Sequence, residues 1–307
     1  MHYLITGGCG FIGSHLVDSL LASGHRVSVL DDLSSGKREN LADGATLIEG
    51  DITTPNIFDN LIKDIDGCFH LAAIASVQRS QDEWLRCHQV NLSGTVALFD
   101  ALMRENKTIP VVYASSAAAY GDCPDIPLKE TSHCSPCSAY GADKLSCEYH
   151  ARIATNMFNI PTIGLRFFNV YGPRQDPASP YSGVISIFAH RMKQHADVII
   201  HGDGEQARDF IYVGDIITVL TTAMQKLESK ELRCDVFNAC TGKNISVNAL
   251  AKVMMDVTAS RSVISHGPAR EGDIRVSLGD GSHAQTALGF TPQTRLEDGL
   301  TITLESL

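Results

Sequence analysis

The segment Thr6-Gly7-Gly8-Cys9-Gly10-Phe11-Ile12-Gly13 constrains this chain most. It joins a short apolar run, residues 2–6, to residues 14–23, where Leu16, Leu20 and Leu21 recur at helical spacing. A glycine-rich turn between a strand and a helix opens a dinucleotide-binding βαβ unit. Glycine at 7 and 10 lets the backbone turn tightly and approach a pyrophosphate. Gly13 lets the helix pack closely, and the N-terminal end of that helix faces the phosphate charge.

The alternation continues. Gly24 ends the first helix, and residues 26–30 predict a second strand. Strands are predicted at 46–49, 67–71, 110–115 and 162–167, with helices at 56–63, 90–105 and 138–158. Short apolar strands between helices specify an α/β fold, a Rossmann-like doubly wound parallel sheet covered on both faces. Beyond about residue 170 the stretches 172–183, 202–205 and 267–272 are rich in Gly, Pro and Asp. They point to a smaller, interleaved C-terminal lobe for substrate. The expected division is a dinucleotide-binding domain over 1–168, with return segments near 208–240, and a substrate-binding lobe over 169–307.

A net charge of −10 argues against nucleic acid as a partner, because phosphate-backbone binding needs a clustered Lys/Arg surface. No apolar run reaches the ~18 residues of a membrane span, and the N-terminus lacks the charged and apolar regions of a signal peptide. Nine scattered cysteines suit reduced thiols, so the expected location is cytoplasmic. Cys134-Ser-Pro-Cys137 has no second Cys-x-x-Cys to complete a zinc site and reads as two thiols in a loop; no metal is expected.

Asp31 ends the second strand 18 residues after Gly13, close to the ~20 expected of the acid that binds a ribose diol. A carboxylate there accepts from both hydroxyls and repels a 2′-phosphate, which favours NAD over NADP; Lys37 and Arg38 read as a solvated face. Asp51 and Ile52 come after the third strand and suit an adenine contact. Leu71, Ala72 and Ala73 leave room for cofactor after the fourth, where His70 reads as structural.

The chemistry lies in Tyr140-Gly-Ala-Asp-Lys144 and Ser116. A free tyrosine is only about 0.1% phenolate at neutral pH. Lys144, at i+4 on the same helix, can bring its charge to the phenol oxygen or to the cofactor ribose and favour the phenolate. Ser116, at the end of its strand, can share a substrate hydroxyl's hydrogen bond.

With these residues the chain resembles the extended short-chain dehydrogenase/reductases, in their nucleotide-sugar epimerase branch. The likeness rests on TGGCGFIGSHL at 6–16, HLAA at 70–73, SSAAAYG at 115–121, YGADK at 140–144, RFFNVYGPRQDP at 166–177, GDGEQARDFIYVGDI at 202–216 and REGDIRVSL at 270–278. It implies tightly held NAD, with Phe11, Ile12, Leu33, Ser35, Gly36, Ala75, Asn91 and Phe168 joining the residues above around it. It implies a UDP-sugar substrate, with Asn169 at the sugar or diphosphate and Arg208 and Arg270 clamping the pyrophosphate as planar forks. Asp273 then takes the uridine ribose or orients an arginine. Val184 contacts the substrate, and His201 stands where relatives carry an aromatic ring against uracil. The resemblance also implies a homodimer through helices 90–105 and 138–158.

Relatives share the oxidation and differ in the step after it. The 4,6-dehydratases carry an Asp-Glu pair after the catalytic Ser/Thr and the decarboxylases a Glu; Ala117 and Ala118 stand there in this chain and carry no acid or base. The resemblance therefore implies a 4-epimerase. An ADP-heptose 6-epimerase is the alternative, but its additional lysine base is missing from the loop 175–183. A non-enzymatic NAD-binding protein is disfavoured by the complete Ser116, Tyr140 and Lys144 set. In the UDP-hexose 4-epimerases the residue seven after the second clamp arginine lines the C2 pocket; here it is Ser277, small enough to admit an N-acetyl group.

Overall fold

The computed structural model describes residues 1–176, 183–269 and 274–307. The chain divides into two compact units. The first comprises Met1–Gly121, Cys134–Arg166 and Ile217–Phe237; the second comprises Asp122–His133, Phe167–Ile216 and Asn238–Leu307. Residues 122–133, inside the span assigned by sequence to the first domain, belong to the second unit.

In chain order the first unit begins with β1 (His2–Thr6), α1 (Phe11–Ala22), β2 (Arg26–Asp31), β3 (Thr46–Glu49) and β4 (Gly67–His70). It continues through α2 (Val77–Asp82), α3 (Trp84–His88), α4 (Gly94–Arg104), β5 (Val111–Ser116), α5 (Ala139–Phe158) and β6 (Thr162–Phe167). Next come β7 (Asn169–Tyr171), α6 (Val184–Lys193), β8 (Val198–His201) and β9 (Ala207–Tyr212). Then α7 (Val213–Glu228) and β10 (Cys234–Ala239) lead the chain back into the first unit. The remainder is β11 (Asn244–Ser246), α8 (Val247–Thr258), β12 (Ile264–Gly267), β13 (Val276–Ser277), α9 (Ser282–Leu288) and α10 (Leu296–Glu305).

The parallel sheet has seven strands in the order β10-β6-β5-β4-β1-β2-β3. The chain moves outward from β1 to β3, then returns to β4 on the other side of β1. The carboxyl ends of β1 and β4 therefore flank a topological switch point, where open α/β sheets bind their ligands. Leu4, Leu30, Phe58, Ile62, Val111 and Leu98 are buried in one apolar cluster of this unit. The second unit has its own core of Phe188, Met192, Ile200, Leu250, Met254 and Leu300. Its sheets are β11-β9-β13, with β7 beside β9, and the pair β12-β8.

Residues 56–63 do not form the predicted helix. Asn56 has a left-handed backbone (φ 60°), and Ile57, Asp59 and Leu61 each donate to the carbonyl three residues earlier. The buried Phe58 and Ile62 produced the i+4 pattern, but they line consecutive turns. The predicted helix 90–105 is α4 preceded by a π-helical turn, Gln89–Ser93, and α2 and α3 lie upstream where no element was expected. Their exposed face, including Trp84 and Leu85, hid the periodicity.

Candidate active site

At the switch point Gly7 (φ 74°) turns the chain out of β1. A Cβ there would stand 2.8 Å from the backbone of Ala72, so the glycine loop almost touches the chain leaving β4. A Cβ on Gly13 would lie 2.1 Å from the Gly7 carbonyl oxygen, and only glycine permits that turn. Helix α1 has no side-chain cap and no acidic residue in its first turn, so its leading N–H groups can meet an anion. Asp31 Oδ2 accepts from the Cys9 N–H at 2.9 Å, and Oδ1 accepts from the Leu33 N–H at 2.9 Å. Burial raises the pKa of this carboxyl while those two bonds act against the rise. Each oxygen keeps a lone pair for a ribose hydroxyl. Gly36 approaches closely enough that a Cβ would sit 3.0 Å from Oδ1, and Leu33 (φ 56°) and Ser35 form the turn before it. Arg38 pairs with Glu49 at 2.5 Å on the surface, as the solvated-face reading expects. This cradle fits a dinucleotide with an unphosphorylated ribose.

Asp51 is held by Thr53 and Arg86. Although burial opposes it, the Thr53 N–H and hydroxyl and the Arg86 guanidinium at 2.6 Å bring its pKa below the ordinary value. Ile52 is buried against Gly94, where a Cβ would meet its side chain at 2.6 Å. Phe11, Ile12, Leu71, Ala73 and Ala75 lie at the expected ends of α1 and β4, partly exposed or, for Ala75, exposed. Asn91, in the π turn, is buried. Its amide oxygen accepts from the Ile74 N–H at 2.8 Å and its amide nitrogen donates to the Ile74 carbonyl at 3.2 Å. Its side chain thus fixes the path of residues 71–75 past the glycine loop.

The Ser116 hydroxyl oxygen accepts the Ala118 N–H at 3.1 Å and caps a 3-10 turn made of Ala117–Ala119. Ser138 caps α5 by accepting from the Gly141 N–H at 3.1 Å, and Tyr140 is the second residue of the helix, its own N–H donating to Ser80 Oγ at 3.2 Å. Lys144 is buried. Its Nζ lies 5.9 Å from the Tyr140 ring centroid and donates to the Ala114 carbonyl at 2.8 Å. The lysine is thereby anchored to β5 while remaining beside the tyrosine. Gly141 is a positioning residue that sequence reasoning missed, because nothing in the motif discloses how near Ala118 comes.

His70 is part of a closed chain. The Ala72 N–H donates to Thr6 Oγ1 at 3.1 Å, and Thr6 Oγ1 lies 2.8 Å from His70 Nδ1. His70 Nε2 lies 3.0 Å from Thr95 Oγ1, which itself donates to the Asn91 carbonyl at 2.8 Å. Only a neutral ring, protonated on Nε2, satisfies every partner. Burial, with the nearby Lys144 charge, brings its pKa down to about 3. On α5, Asp143 Oδ1 is 2.8 Å from His88 Nδ1, and its buried Oδ2 has no partner among the described residues.

In the second unit β9 collects three of the expected substrate residues. Arg208 lies on β9, Ser277 on β13 is its register partner, and Asn169 on β7 pairs with Phe210 and donates from Nδ2 to the Asp209 carbonyl at 3.1 Å. His201 ends β8, with Nδ1 3.2 Å from the Pro268 carbonyl, and Val184 begins α6. Phe168 is buried, its N–H donating to the Ala239 carbonyl at 3.2 Å. Arg270 and Asp273 lie outside the described residues. Asp209, not anticipated, is the organiser of β9. Its carboxylate accepts from the Thr241 N–H and hydroxyl at 2.8 and 2.6 Å and from the Gly242 N–H at 2.9 Å. Burial raises its pKa against those bonds.

The family model for the NAD dependent epimerase/dehydratase family matches residues 3–240. The chain belongs to that family. It is 34% identical to the UDP-glucose 4-epimerase of Mycolicibacterium smegmatis over 99% of its own length and 98% of the relative's. Among solved structures it is similar to the UDP-glucose 4-epimerase of Thermotoga maritima with UDP-glucose: TM-score 0.95, 37% identity, 100% of this chain and 98% of the other. It is also similar to the UDP-N-acetylglucosamine 4-epimerase of Methanobrevibacter ruminantium in complex with UDP-N-acetylmuramic acid: TM-score 0.93, 38% identity, 99% of this chain and 97% of the other. This epimerase-family chain is an isomerase, and its cofactor is NAD. No helix among its described residues is long and apolar enough to cross a membrane, and no group of three or more His, Cys, Asp or Glu side chains among them could hold a metal ion. Neither Cys134 nor Cys137 takes part in a disulfide among the described residues.

Proposed function

We propose that this chain interconverts UDP-N-acetylglucosamine and UDP-N-acetylgalactosamine by inversion at C4, with UDP-glucose and UDP-galactose as a second substrate pair. The observation that carries the reading is the turn after Ser116. Ala117–Ala119 come directly after the serine and bring no carboxylate to the carbon next to the one oxidised. An elimination or a decarboxylation needs such a group; an oxidation that is simply reversed does not. The names of the relatives support a UDP-sugar, and the small Ser277 beside Arg208 supports a substrate with an N-acetyl group at C2.

Bound NAD supplies the two-electron oxidation of C4 and its reversal. Tyr140, as phenolate, takes the proton of the 4-hydroxyl and later returns it. Lys144 supplies the positive charge that favours the phenolate. Ser116 orients the hydroxyl. Asn169, Arg208 and Arg270 hold the nucleotide diphosphate while the 4-keto sugar turns its other face to the cofactor, and His201, Val184 and Asp273 hold the uridine. Glycines 7, 10 and 13 and Asp31 hold NAD.

The test is proton NMR of the purified protein with UDP-N-acetylglucosamine and, separately, UDP-glucose. The expected result is appearance of the C4 epimer from the acetylated sugar. No turnover of the acetylated pair would remove the substrate assignment, and no turnover of either pair would remove the 4-epimerase reading itself.

A further inference from the structure

Four side chains that neither the cofactor nor the substrate assignment uses form one buried cluster in the first unit. Arg166, on β6, donates from Nε to Glu148 Oε1 at 2.8 Å and from Nη2 to Oε2 at 2.7 Å. Glu148 Oε1 also accepts the Ser115 hydroxyl at 2.5 Å, and the guanidinium lies 4.5 Å from the Tyr120 ring centroid. All four residues are buried. A guanidinium fork on both oxygens fixes the orientation of a carboxylate as well as balancing its charge.

The location of the cluster gives it a role. Tyr140, Lys144 and Glu148 succeed one another at i+4 on α5, so they share a helix face. That face reads the end of β5: Lys144 donates to the carbonyl of Ala114, and Glu148 takes the hydroxyl of Ser115, the residue before Ser116. A glutamate one turn from a lysine is that lysine's nearest ion-pair partner. Here Glu148 pairs instead with Arg166.

We propose that Arg166 is a positioning residue that holds Glu148 away from Lys144. Lys144 then keeps its whole charge, and two of its three N–H donors, for Tyr140 and NAD. The inference rests on the roles given above to Tyr140 and Lys144. Of the other titratable groups near Lys144, the imidazole of His70 on β4 is kept neutral by burial and the thiol of Cys147 on α5 is raised by burial, while Asp143, whose Oδ1 meets His88 of α3, is the same in every variant below.

Three variants test this: Arg166→Met, Glu148→Gln, and the two together. NAD affinity is measured by calorimetry on NAD-stripped protein, and the pH dependence of kcat with a UDP-sugar is measured alongside. Loss of Arg166 alone frees Glu148 to neutralise Lys144. NAD affinity then falls about tenfold, and the acidic limb of the pH–rate profile moves up by about one pH unit. Glu148→Gln and the double variant lack the carboxylate that would capture Lys144, so both keep the wild-type NAD affinity and pH limb. If Glu148→Gln reproduces both shifts, the cluster is only structural and the proposal is overturned. Should Arg166→Met fail to fold, the double variant decides: a folded double variant with a displaced pH limb overturns it. The NAD titration needs no sugar, so failure of the substrate assignment and failure of this inference are read separately.

Discussion

Gly141 faces the carbonyl oxygen of Ala118 so closely that a Cβ on Gly141 would stand 2.4 Å from it. Both sides of that contact are backbone, so neither can swing aside. The approach brings the first turn of α5, which carries Tyr140, against the 3-10 turn capped by Ser116. Gly141→Ala forces the helix and the turn apart. We expect a loss of about 1–3 kcal/mol of stability, as for overpacking elsewhere, and a lower kcat with KM little changed. Urea unfolding and steady-state kinetics check this; an alanine variant equal to wild type in both would show that the contact gives way freely.

His70 makes stability depend on pH. Its pKa is about 3 in the fold against an ordinary 6.5, so the unfolded chain binds a proton that the folded chain refuses between those values. Its contribution is intact above pH 6.5 and is lost progressively as pH falls toward 3. At two pH units below 6.5 the loss is about 2.7 kcal/mol. His70→Gln keeps a donor and an acceptor but cannot titrate. Its unfolding free energy, measured by urea from pH 7 to 4, is expected to lack this part of the acid slope.

Tyr140→Phe removes the proposed base and little else. Epimerisation is expected to fall by about 10²–10⁴-fold, while NAD binding measured by calorimetry persists. Full turnover by that variant would end the proton-transfer role given to Tyr140.

Ser277→Tyr fills the space proposed for the N-acetyl group. The ratio of kcat/KM for UDP-N-acetylglucosamine over UDP-glucose is expected to drop by at least tenfold, a discrimination of about 1.4 kcal/mol. An undiminished ratio would mean that position 277 does not select the substrate.

Tyr149, Ile153 and Met157 recur at i+4 along α5 and are 56%, 45% and 68% exposed. The homodimer that the resemblance implies is proposed to use this outward face. Sedimentation velocity is expected to give a dimer for the wild type and a monomer for Ile153→Glu. A wild-type monomer at micromolar concentration would remove the assignment.

The parts of this molecule legible in the sequence are those whose signal is local. The glycine turn, Asp31 at the end of β2, and Tyr140 and Lys144 one helical turn apart each declare themselves within a few residues. The hidden parts depend on partners distant along the chain. Phe58 and Ile62 show helical spacing, yet the left-handed Asn56 starts a series of turns instead. Helices α2 and α3 are short and leave Val77, Trp84 and Leu85 exposed, so their apolar residues form no stripe. Arg166 and Glu148 are 18 positions apart and meet only because β6 and α5 lie side by side. Asp209 reads in the sequence as one more charge beside Arg208; its role lies in four hydrogen bonds to residues 241, 242 and 279.

The capping bond of Ser116 has a consequence for reversibility. A serine hydroxyl has one proton and two lone pairs, and the Ala118 N–H occupies one of the lone pairs. One donor and one acceptor position remain. In the reaction proposed above, an alcohol at C4 can donate to that lone pair, and a ketone at C4 can accept that proton. Rotation about a single C–O bond therefore lets one fixed oxygen serve both oxidation states of the sugar, and forward and reverse turnover need no rearrangement of the strand that carries it.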